Sequence, residues 1–307
     1  MKSLSKIPLI IDTDPGHDDA LAIMLLIKSE RFDIQAVTTV AGNTTTQNTT
    51  NNARYILDLL QSSIPLYSGA AAPLRQKLIC ANVHGENGLA GAQITKKELL
   101  NNLAVTKIIE LVRTAPSKVS LLVIGPQTNI ALAFKQDLEL PKLIKQIVIM
   151  GGAIAVPGNK NAVAEFNIFV DPEAADIVFR APVKKIVIPL DVCNDIFLTL
   201  ADFRRLKKSK LYRPIMAMMK HYIQGIKIFE RTKGALMYDP LAAYYLLNPR
   251  AYETKKMDVR IETTSDLTRG MSVADRRNWG EKKYNAHVVT KINRDQFVED
   301  FINTLNT

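Results

Sequence analysis

The sequence of 307 residues predicts an α/β fold with an open, mostly parallel central sheet flanked by helices. Short apolar runs alternate along the chain with segments that carry apolar residues at helical spacing. Strands that alternate with helices pair in parallel through right-handed crossovers, and strands that are apolar throughout are covered by helices on both faces. Because no Ser/Gly-rich linker, internal repeat or break in composition divides the chain, we expect a single domain over residues 1–307.

Each element follows from its own pattern of residues. The predicted strands are apolar runs closed by glycine, proline or a polar residue, and they cover residues 7–11, 34–40, 64–67, 119–124, 146–150 and 185–189. The predicted helices cover residues 18–28, 45–60, 101–113, 128–134 and 172–179. Helices also predominate over residues 199–247, residues 257–292 are expected to be rich in strands, and a last helix covers residues 294–305.

Composition excludes several classes of protein. Apolar residues make up 47% of the chain, enough for a packed core, and 14 Gly and 14 Pro exclude a collagen-like or low-complexity chain. Two cysteines, Cys80 and Cys193, are too few for a disulfide scaffold or a cysteine zinc site and are typical of a reducing compartment. No apolar run approaches the roughly 20 residues of a membrane span, and the apolar run between Lys6 and Asp12 has only five residues, where a signal peptide needs about 7–15. We therefore expect a cytoplasmic protein without a membrane partner.

The net charge of +10 attracts anions, but its distribution does not indicate a nucleic-acid partner. The basic residues fall in short, scattered clusters, a pattern typical of solvated helix faces and turns. No nucleic-acid partner is expected.

The predicted sheet indicates where a ligand would bind. In open parallel sheets, ligands lie outside the carboxyl ends of the strands. The polar residues predicted at those ends are Asp12, Asn43, Thr128, Asn129 and Asp191.

An acidic cluster follows the first predicted strand and begins the first helix. The run Asp12-Thr13-Asp14-Pro15-Gly16-His17-Asp18-Asp19 holds four carboxylates within eight residues. Carboxylates this close repel one another unless a cation lies among them, and a helix N-terminus supplies only about half a charge. The donors are oxygens, which favours a hard cation such as Ca²⁺ or Mg²⁺ over zinc. His17 by itself is expected to be an exposed turn residue.

Seven short segments of the sequence form an ordered set. The first is the run from Asp12 to Ala20. The others are Val40-Ala41-Gly42-Asn43, His84-Gly85-Glu86-Asn87-Gly88, Gly125-Pro126-Gln127-Thr128-Asn129, Met150-Gly151-Gly152, Ala164-Glu165-Phe166-Asn167-Ile168 with Asp171-Pro172-Glu173-Ala174, and Asp239-Pro240-Leu241-Ala242. Each segment alone is a weak signal, whereas the ordered set is specific, and it resembles the inosine–uridine preferring group of the nucleoside hydrolases.

The resemblance implies a Rossmann-like core, a homodimer or homotetramer, and hydrolysis of a purine or pyrimidine ribonucleoside to ribose and free base. The glycosidic bond breaks through an oxocarbenium-like transition state. The cofactor implied is Ca²⁺, held by Asp14, Asp19, the backbone carbonyl of Thr128 and Asp239. Asp14 also resembles the base that activates the attacking water, and Asp12 is similar to a residue that supports these ligands.

The resemblance also assigns contacts to the ribose. Asp18 and Asn167 resemble the groups that bind ribose hydroxyls. Asn159 and Glu165 resemble the contacts to the 5′-hydroxyl. Asn43 resembles either a residue that supports the metal ligands or a polar group on the ribose side.

Tyr238 departs from the pattern of the family. In the purine-active, nonspecific members a histidine precedes the late aspartate and is taken as the acid that protonates the leaving base. A tyrosine, with a pKa of about 10, is a hydrogen-bond donor but a poor proton donor near pH 7. His84 could lie near the base, as could His221 or Tyr222, so the expected catalytic residues are Asp14, His84 and Tyr238. The preferred base stays open.

Two other functions were compared with the hydrolase. Asp12-Thr13-Asp14 also resembles the start of the haloacid-dehalogenase-type Mg²⁺ phosphatases, but Gly16 stands where that motif has Thr or Val. A non-catalytic ribose-binding module would need no base, but proteins of that kind are usually exported. Both alternatives are weaker than the hydrolase prediction.

Overall fold

Eight strands form the central sheet of the computed structural model, which describes residues 6–81, 83–95, 97, 102–229, 232–277 and 279–307. In chain order the twelve described strands are β1 Ile7–Thr13, β2 Phe32–Thr39, β3 Leu66–Ser68, β4 Ser120–Val123, β5 Gln146–Met150, β6 Lys185–Ile188, β7 Phe197–Leu198, β8 Ala235–Leu236, β9 Tyr252–Met257, β10 Val259–Ile261, β11 Ser272–Ala274 and β12 Ala286–Ile292. The pairs β7–β8 and β10–β11 form two small sheets of their own. The helices are α1 His17–Ser29, α2 Thr46–Leu59, α3 Ala104–Thr114, α4 Thr128–Gln136, α5 Leu140–Leu143, α6 Phe166–Val170, α7 Pro172–Arg180, α8 Leu190–Cys193, α9 Leu200–Phe203, α10 Tyr212–Phe229, α11 Tyr238–Leu247 and α12 Arg294–Leu305. Short 3₁₀ turns cover Arg204–Leu206 and Pro249–Ala251.

The order of strands in the sheet is β3-β2-β1-β4-β5-β6-β12-β9, and all pairs are parallel except β12 with β9. The predicted open, mostly parallel sheet is confirmed. From β1 the chain continues through β2 and β3 on one side, and then through β4, β5 and β6 on the other. This reversal between β1 and β4 leaves a crevice at the carboxyl ends of the strands, where ligands bind in such sheets.

Apolar layers cover both faces of the sheet, which is why its strands are apolar throughout. Leu9 and Ile11 of β1 pack into one layer with α1, α2, α10, α11 and α12, whereas Ile10 packs into the other with α3, α4 and α7. Alternate residues of a strand point to opposite faces, so both kinds of position must be apolar. None of the described helices combines the length and the apolar character needed to cross a bilayer.

The last part of the sheet differs in detail from the expectation. The first strand of the β-rich tail, β9, begins at Tyr252, before the predicted stretch, and pairs antiparallel with β12 at the edge of the sheet. Four of its six residues are exposed, including Lys255 and Lys256. Charged side chains are common on edge strands because they discourage pairing with other chains, and here they hide the apolar pattern. The predicted start of the third helix at Asn101 lies outside the described residues, and α3 begins at Ala104.

Candidate active site

A cavity of about 290 Å³ opens at the carboxyl ends of the central strands. It is close to the lower end of the range of about 300–1,000 Å³ that is typical of small-molecule sites. The predicted site residues that line it are Asp18, Asn43, His84, Asn159, Glu165, Asn167, Tyr238 and Asp239. Asp14, Asp19 and Thr128 are fully buried and are not part of its lining.

Asp14 and Asp19 are held by hydrogen bonds from the turn before α1 and from the loop after β2. Oδ2 of Asp14 accepts a hydrogen bond of 2.6 Å from the backbone N–H of Asn43, while its Oδ1 has no hydrogen-bond partner among the described residues. Asp19 accepts hydrogen bonds from the hydroxyl of Thr13 (2.5 Å) and the backbone N–H of Gly16 (2.9 Å). The Pro-Gly turn thus folds the chain back so that both carboxylates lie under the cavity.

A buried carboxylate cluster is suited to a divalent cation. Carboxylate oxygens of Asp18, Asp19 and Asp239 lie within 4.8 Å of one another, and all three residues are buried. Burial, followed by repulsion from Asp19, raises the pKa of Asp14 well above its ordinary value. The pKa of Asp239 is also raised well above its ordinary value, first by burial and then by repulsion from Asp18, Asp19 and Asp14. The unpaired Oδ1 of Asp14 and an all-oxygen donor set fit a hard cation, which would compensate this negative charge.

Two glycines that the sequence analysis did not select allow the carboxylate of Asp14 to fit. A Cβ at Gly42 would lie 2.1 Å from Oδ2 of Asp14, and a Cβ at Gly125 would lie 2.5 Å from Oδ1. Each glycine closely follows a central strand, β2 or β4. That position was the signal available in the sequence, because a glycine there permits a close approach to the backbone.

Asp12 and Asn129 do not line the cavity. Their side chains form hydrogen bonds that connect the ends of neighbouring strands. Oδ1 of Asp12 accepts hydrogen bonds from the hydroxyl of Thr38 (2.6 Å) and from Nδ2 of Asn129 (2.8 Å). Asn129 also donates to the carbonyl of Thr39 (3.0 Å) and accepts from the N–H of Ala70 (2.9 Å). Burial raises the pKa of Asp12 to about 7. These contacts join β1, β2 and the loop after β3 beneath the acidic cluster.

Thr128 and Asp191 also have defined places in this frame. The hydroxyl of Thr128, in the first turn of α4, donates to Asp171 (2.7 Å), which caps α7 through the N–H of Ala174 (3.1 Å). The carboxylate of Asp191 accepts the N–H groups of residues 154 and 155, both at 2.8 Å. Asp191 therefore fixes the loop that leads to residues 159–167, which form one wall of the cavity.

That wall is formed by three polar residues that the sequence analysis selected. The carboxylate of Glu165 caps α6 and accepts the N–H groups of Asn167 (2.8 Å) and of residues 168 and 152 (both 3.1 Å), while burial raises its pKa. Nδ2 of Asn167 donates to the carbonyls of Ile124 (3.2 Å) and Met150 (3.3 Å), and so bridges the ends of β4 and β5. Oδ1 of Asn159 accepts the N–H of residue 166 (2.9 Å).

The prediction that His17 is an exposed turn residue was wrong. Its side chain is fully buried, and its ring stacks with His84 and Tyr222 at centroid distances of 5.2 and 5.0 Å. Nε2 of His17 lies 2.9 Å from the carbonyl oxygen of Ala90, and its Nδ1 lies 3.0 Å from Nδ1 of His84. Burial lowers the pKa of His17 to about 4 and lowers that of His84 well below its ordinary value. Burial therefore disfavours the charged form of both rings.

Tyr238 and Tyr222 complete this side of the cavity. The hydroxyl of Tyr238, the first residue of α11, donates to Oδ1 of Asn194 at 3.2 Å. Tyr222 lines the cavity from α10, whereas His221 is exposed and does not. His221 and Tyr222 were both candidates to lie near the base of the substrate, and of these two only Tyr222 lines the cavity.

Comparisons with known proteins agree over almost the whole chain. The sequence model of the inosine-uridine preferring nucleoside hydrolases matches residues 9–299. The pyrimidine-specific ribonucleoside hydrolase RihA of Shewanella sp. (strain ANA-3) is 40% identical over 309 residues, covering 97% of this chain and 96% of the relative. RihA of Salmonella arizonae is 38% identical over 302 residues, covering 95% and 96%.

Solved structures that share the fold include two that cover nearly the whole chain. The plant nucleoside hydrolase PpNRh1 superposes with a TM-score of 0.91 at 28% identity, covering 98% of this chain and 99% of that one. A purine-preferring ribonucleoside hydrolase from Gardnerella vaginalis superposes with a TM-score of 0.90 at 28% identity, covering 97% and 98%.

Proposed function

The chain belongs to the inosine–uridine preferring nucleoside hydrolases and hydrolyses the N-glycosidic bond of a ribonucleoside, and we propose that uridine and cytidine are its preferred substrates. The observation that carries the preference is the 40% identity to relatives named pyrimidine-specific, compared with 28% to the purine-preferring enzyme of known structure. Tyr238 supports it, because a phenol is a poor acid for protonating a purine near pH 7. The phosphatase and ribose-binding alternatives find no support in the comparisons.

We propose Ca²⁺ as the cation of the buried carboxylate cluster. Its ligands would be Asp19 and Asp239 of that cluster together with Asp14 and the backbone carbonyl of Thr128, which leaves Asp18 of the cluster to bind the ribose. Ca²⁺ accepts six to eight oxygen ligands in flexible geometry, which suits donors drawn from separate loops and from α11. When bound, the ion would supply a Lewis acid that binds ribose hydroxyls and acidifies a water molecule.

Asp14 is the proposed general base. The N–H of Asn43 holds its Oδ2, so the unpaired Oδ1 is the oxygen left to accept the proton of the attacking water. Gly42 and Gly125 keep the carboxylate in this place by leaving no side chain against it. A buried carboxylate also stabilises the positive charge that develops on the ribose in the transition state.

The remaining residues bind and orient the nucleoside in the proposal. Asp18 and Asn167 bind ribose hydroxyls, and Glu165 with Asn159 binds the 5′-hydroxyl. Glu165 accepts hydrogen bonds from backbone N–H groups, and the side chain of Asn167 donates hydrogen bonds to backbone carbonyls. These hydrogen bonds support the proposed roles because they fix both side chains before the substrate binds.

His84 and Tyr238 are the proposed contacts to the leaving base, and Asn43 lies between the base side and the acidic cluster. The phenol of Tyr238 is protonated at neutral pH and can donate a hydrogen bond to the departing base. His84 lines the same cavity beside Tyr222.

Location and assembly are part of the proposal. We propose a cytoplasmic enzyme of nucleoside salvage, since the two cysteines, Cys80 and Cys193, are both free. We also propose a homodimer or homotetramer, which sedimentation velocity of the purified protein would measure.

A panel of substrates tests the function. The protein is incubated with Ca²⁺ and, separately, with uridine, cytidine, inosine and p-nitrophenyl phosphate. We expect equal amounts of free base and reducing sugar from uridine and cytidine, with a lower kcat/KM for inosine and no phosphate release. A higher kcat/KM for inosine would contradict the pyrimidine preference, and the absence of any free base would contradict the hydrolase.

A further inference from the structure

Asn52, on α2, connects two segments of the active site and lies outside both the cavity lining and the acidic cluster. The residue is 1% exposed. Its Nδ2 donates one hydrogen bond to the carbonyl of Pro15 (2.8 Å) and a second to the carbonyl of Asn87 (2.9 Å). These partners lie 37 and 35 residues away in the chain. The amide of Asn52 therefore joins segments that are distant in sequence.

The two partners determine the orientation of the Asn52 amide. Both are backbone carbonyl oxygens, which only accept hydrogen bonds, and an amide NH₂ group has two protons to donate. The opposite orientation would turn the amide oxygen toward two carbonyl oxygens and would lose both bonds. The contact therefore uses the full donor capacity of the side chain.

The two segments contribute to opposite sides of the proposed reaction. The acidic turn, residues 14–19, contains Asp14 and Asp18, which we assign to the attacking water and to the ribose. The base loop, residues 83–91, contains His84, which lines the cavity and which we assign to the leaving base. The distance between the turn and the loop thus sets the distance between the groups that act on the two parts of the substrate.

Close contacts leave the acidic turn and the base loop little freedom to adjust. A Cβ at Gly16 in the turn would lie 2.9 Å from the ring of His84. A Cβ at Gly88 in the loop, where φ is 79°, would lie 2.7 Å from Cγ2 of Thr44 and 3.2 Å from Nδ2 of Asn52. Without the amide of Asn52, two carbonyls would lose this donor, and the segments would have to move apart to admit water to them.

Other side chains near the start of α2 reach the base loop only with longer contacts. Nδ2 of Asn48 and the hydroxyl of Thr44 both lie 3.5 Å from the carbonyl oxygen of Glu86. Hydrogen bonds of this length are weak compared with those of 2.8 and 2.9 Å that Asn52 donates. Of these three residues, Asn52 is the one best placed to hold the loop.

We propose that Asn52 is a positioning residue for the hydrolysis, which holds the base loop against the acidic turn and so fixes the leaving base relative to the groups that act on the ribose. The inference rests on the proposed function, which places His84 on the base side. Asn52 does not line the cavity, so it acts through the backbone of Pro15 and Asn87. Loss of this positioning should be costly, because a displacement of about 1 Å lowers a rate roughly 10²-fold.

Leucine at position 52 would have a similar size and would donate no hydrogen bond. We expect Asn52→Leu to lower kcat/KM for uridine about 100-fold. p-Nitrophenyl riboside has a phenolate leaving group in place of the base, and with this substrate we expect a loss of about tenfold or less. Asn52→Ser, whose hydroxyl has a single proton to donate, should lower kcat/KM for uridine about tenfold, and it keeps the test available if Asn52→Leu does not fold.

Asn51→Leu is the matched control on the same helix. Asn51 is 2% exposed, and its Oδ1 accepts hydrogen bonds from the guanidinium of Arg54 (3.1 Å) and from the backbone N–H of Lys97 (3.2 Å). The variant loses buried hydrogen bonds, as Asn52→Leu does, but neither bond reaches the acidic turn or the base loop. We expect kcat/KM for both substrates to stay within about threefold of the wild type.

Hydrogen exchange measured by mass spectrometry gives a readout that does not need activity. In the base loop, the N–H groups of Gly88 and Ala90 donate to carbonyls of the same loop. We expect peptides that cover this loop to exchange about tenfold faster in Asn52→Leu and at the wild-type rate in Asn51→Leu, with α12 unchanged in both.

Unchanged exchange of the base loop in Asn52→Leu, or an equal loss on the two substrates, would overturn the inference. Failure of the wild-type protein on every nucleoside would contradict the proposed function, and the exchange of the base loop alone would then decide the inference.

Discussion

The close approach of Gly42 to Asp14 predicts that Gly42→Ala inactivates the enzyme without unfolding it. The new Cβ would lie 2.1 Å from Oδ2 of Asp14 and 2.8 Å from ring carbons of Pro126. The first distance is about 1.3 Å short of the 3.4 Å at which ordinary contacts begin. Because the neighbours include a proline ring and a fixed strand end, the carboxylate must move. Displacement of a reacting group by about 1 Å costs roughly 10²-fold in rate, so we expect kcat for uridine to fall about 100-fold.

Alanine substitutions at two other glycines serve as comparisons for Gly42→Ala. In Gly125→Ala the Cβ would lie 2.5 Å from Oδ1 of Asp14, a smaller overlap, and we expect a loss of about tenfold. Gly280→Ala is the control, because its Cβ meets nothing within 4 Å, although its φ of 93° makes the substitution strained. It should lower thermal stability by about 1–2 kcal/mol and leave turnover unchanged.

Uracil release followed by ultraviolet absorbance gives kcat, and circular dichroism during heating shows whether each variant is folded. A folded Gly42→Ala protein with turnover within threefold of the wild type would show that the position of the Asp14 carboxylate does not limit the reaction.

Three more predictions concern charge. Asp14→Asn should unfold at the same or a higher temperature, because it removes a buried, repelled charge, while uridine turnover falls by several orders of magnitude; near-normal turnover would exclude Asp14 as the base. Chelation should abolish turnover and Ca²⁺ should restore it, with a rise in Tm equivalent to about 2.7 kcal/mol at a concentration of 100 Kd; an unchanged Tm would count against the ion site. Burial lowers the pKa of Lys185 from 10.5 to about 8. Between pH 8 and 10.5 the unfolded chain thus binds more protons, and the free energy of unfolding should rise with pH. Urea titrations at several pH values should show a smaller rise for Lys185→Met, and equal slopes would contradict the assignment.

Much of the fold and part of the site could be predicted because they depend on local patterns. Apolar runs that alternate with helical segments predict parallel strands, and parallel strands bring their carboxyl ends to one edge of the sheet. Asn43 follows β2, the neighbour of β1 in the sheet, so its hydrogen bonds to Asp14 in the acidic turn after β1 follow from the topology.

The rest depends on contacts between distant segments that no local pattern contains. His17 is buried because His84 and Tyr222, from two other parts of the chain, stack against it. The need for glycine at positions 42 and 125 arises from backbone approaches of a few ångströms to Asp14. The function of Asn129 was also hidden, since its amide joins three strand-end segments and not the cavity.

In the proposed reaction this site adds water to the anomeric carbon of a ribonucleoside. Hydrolysis of uridine with Ca²⁺ in ¹⁸O-labelled water, followed by mass spectrometry of both products, identifies the atom that the water attacks. We expect one ¹⁸O atom in the released ribose, none in the uracil, and a rate lower by several orders of magnitude with Asp14→Asn. Label in the uracil, or intact uridine after prolonged incubation with the wild-type protein, would contradict the proposed reaction.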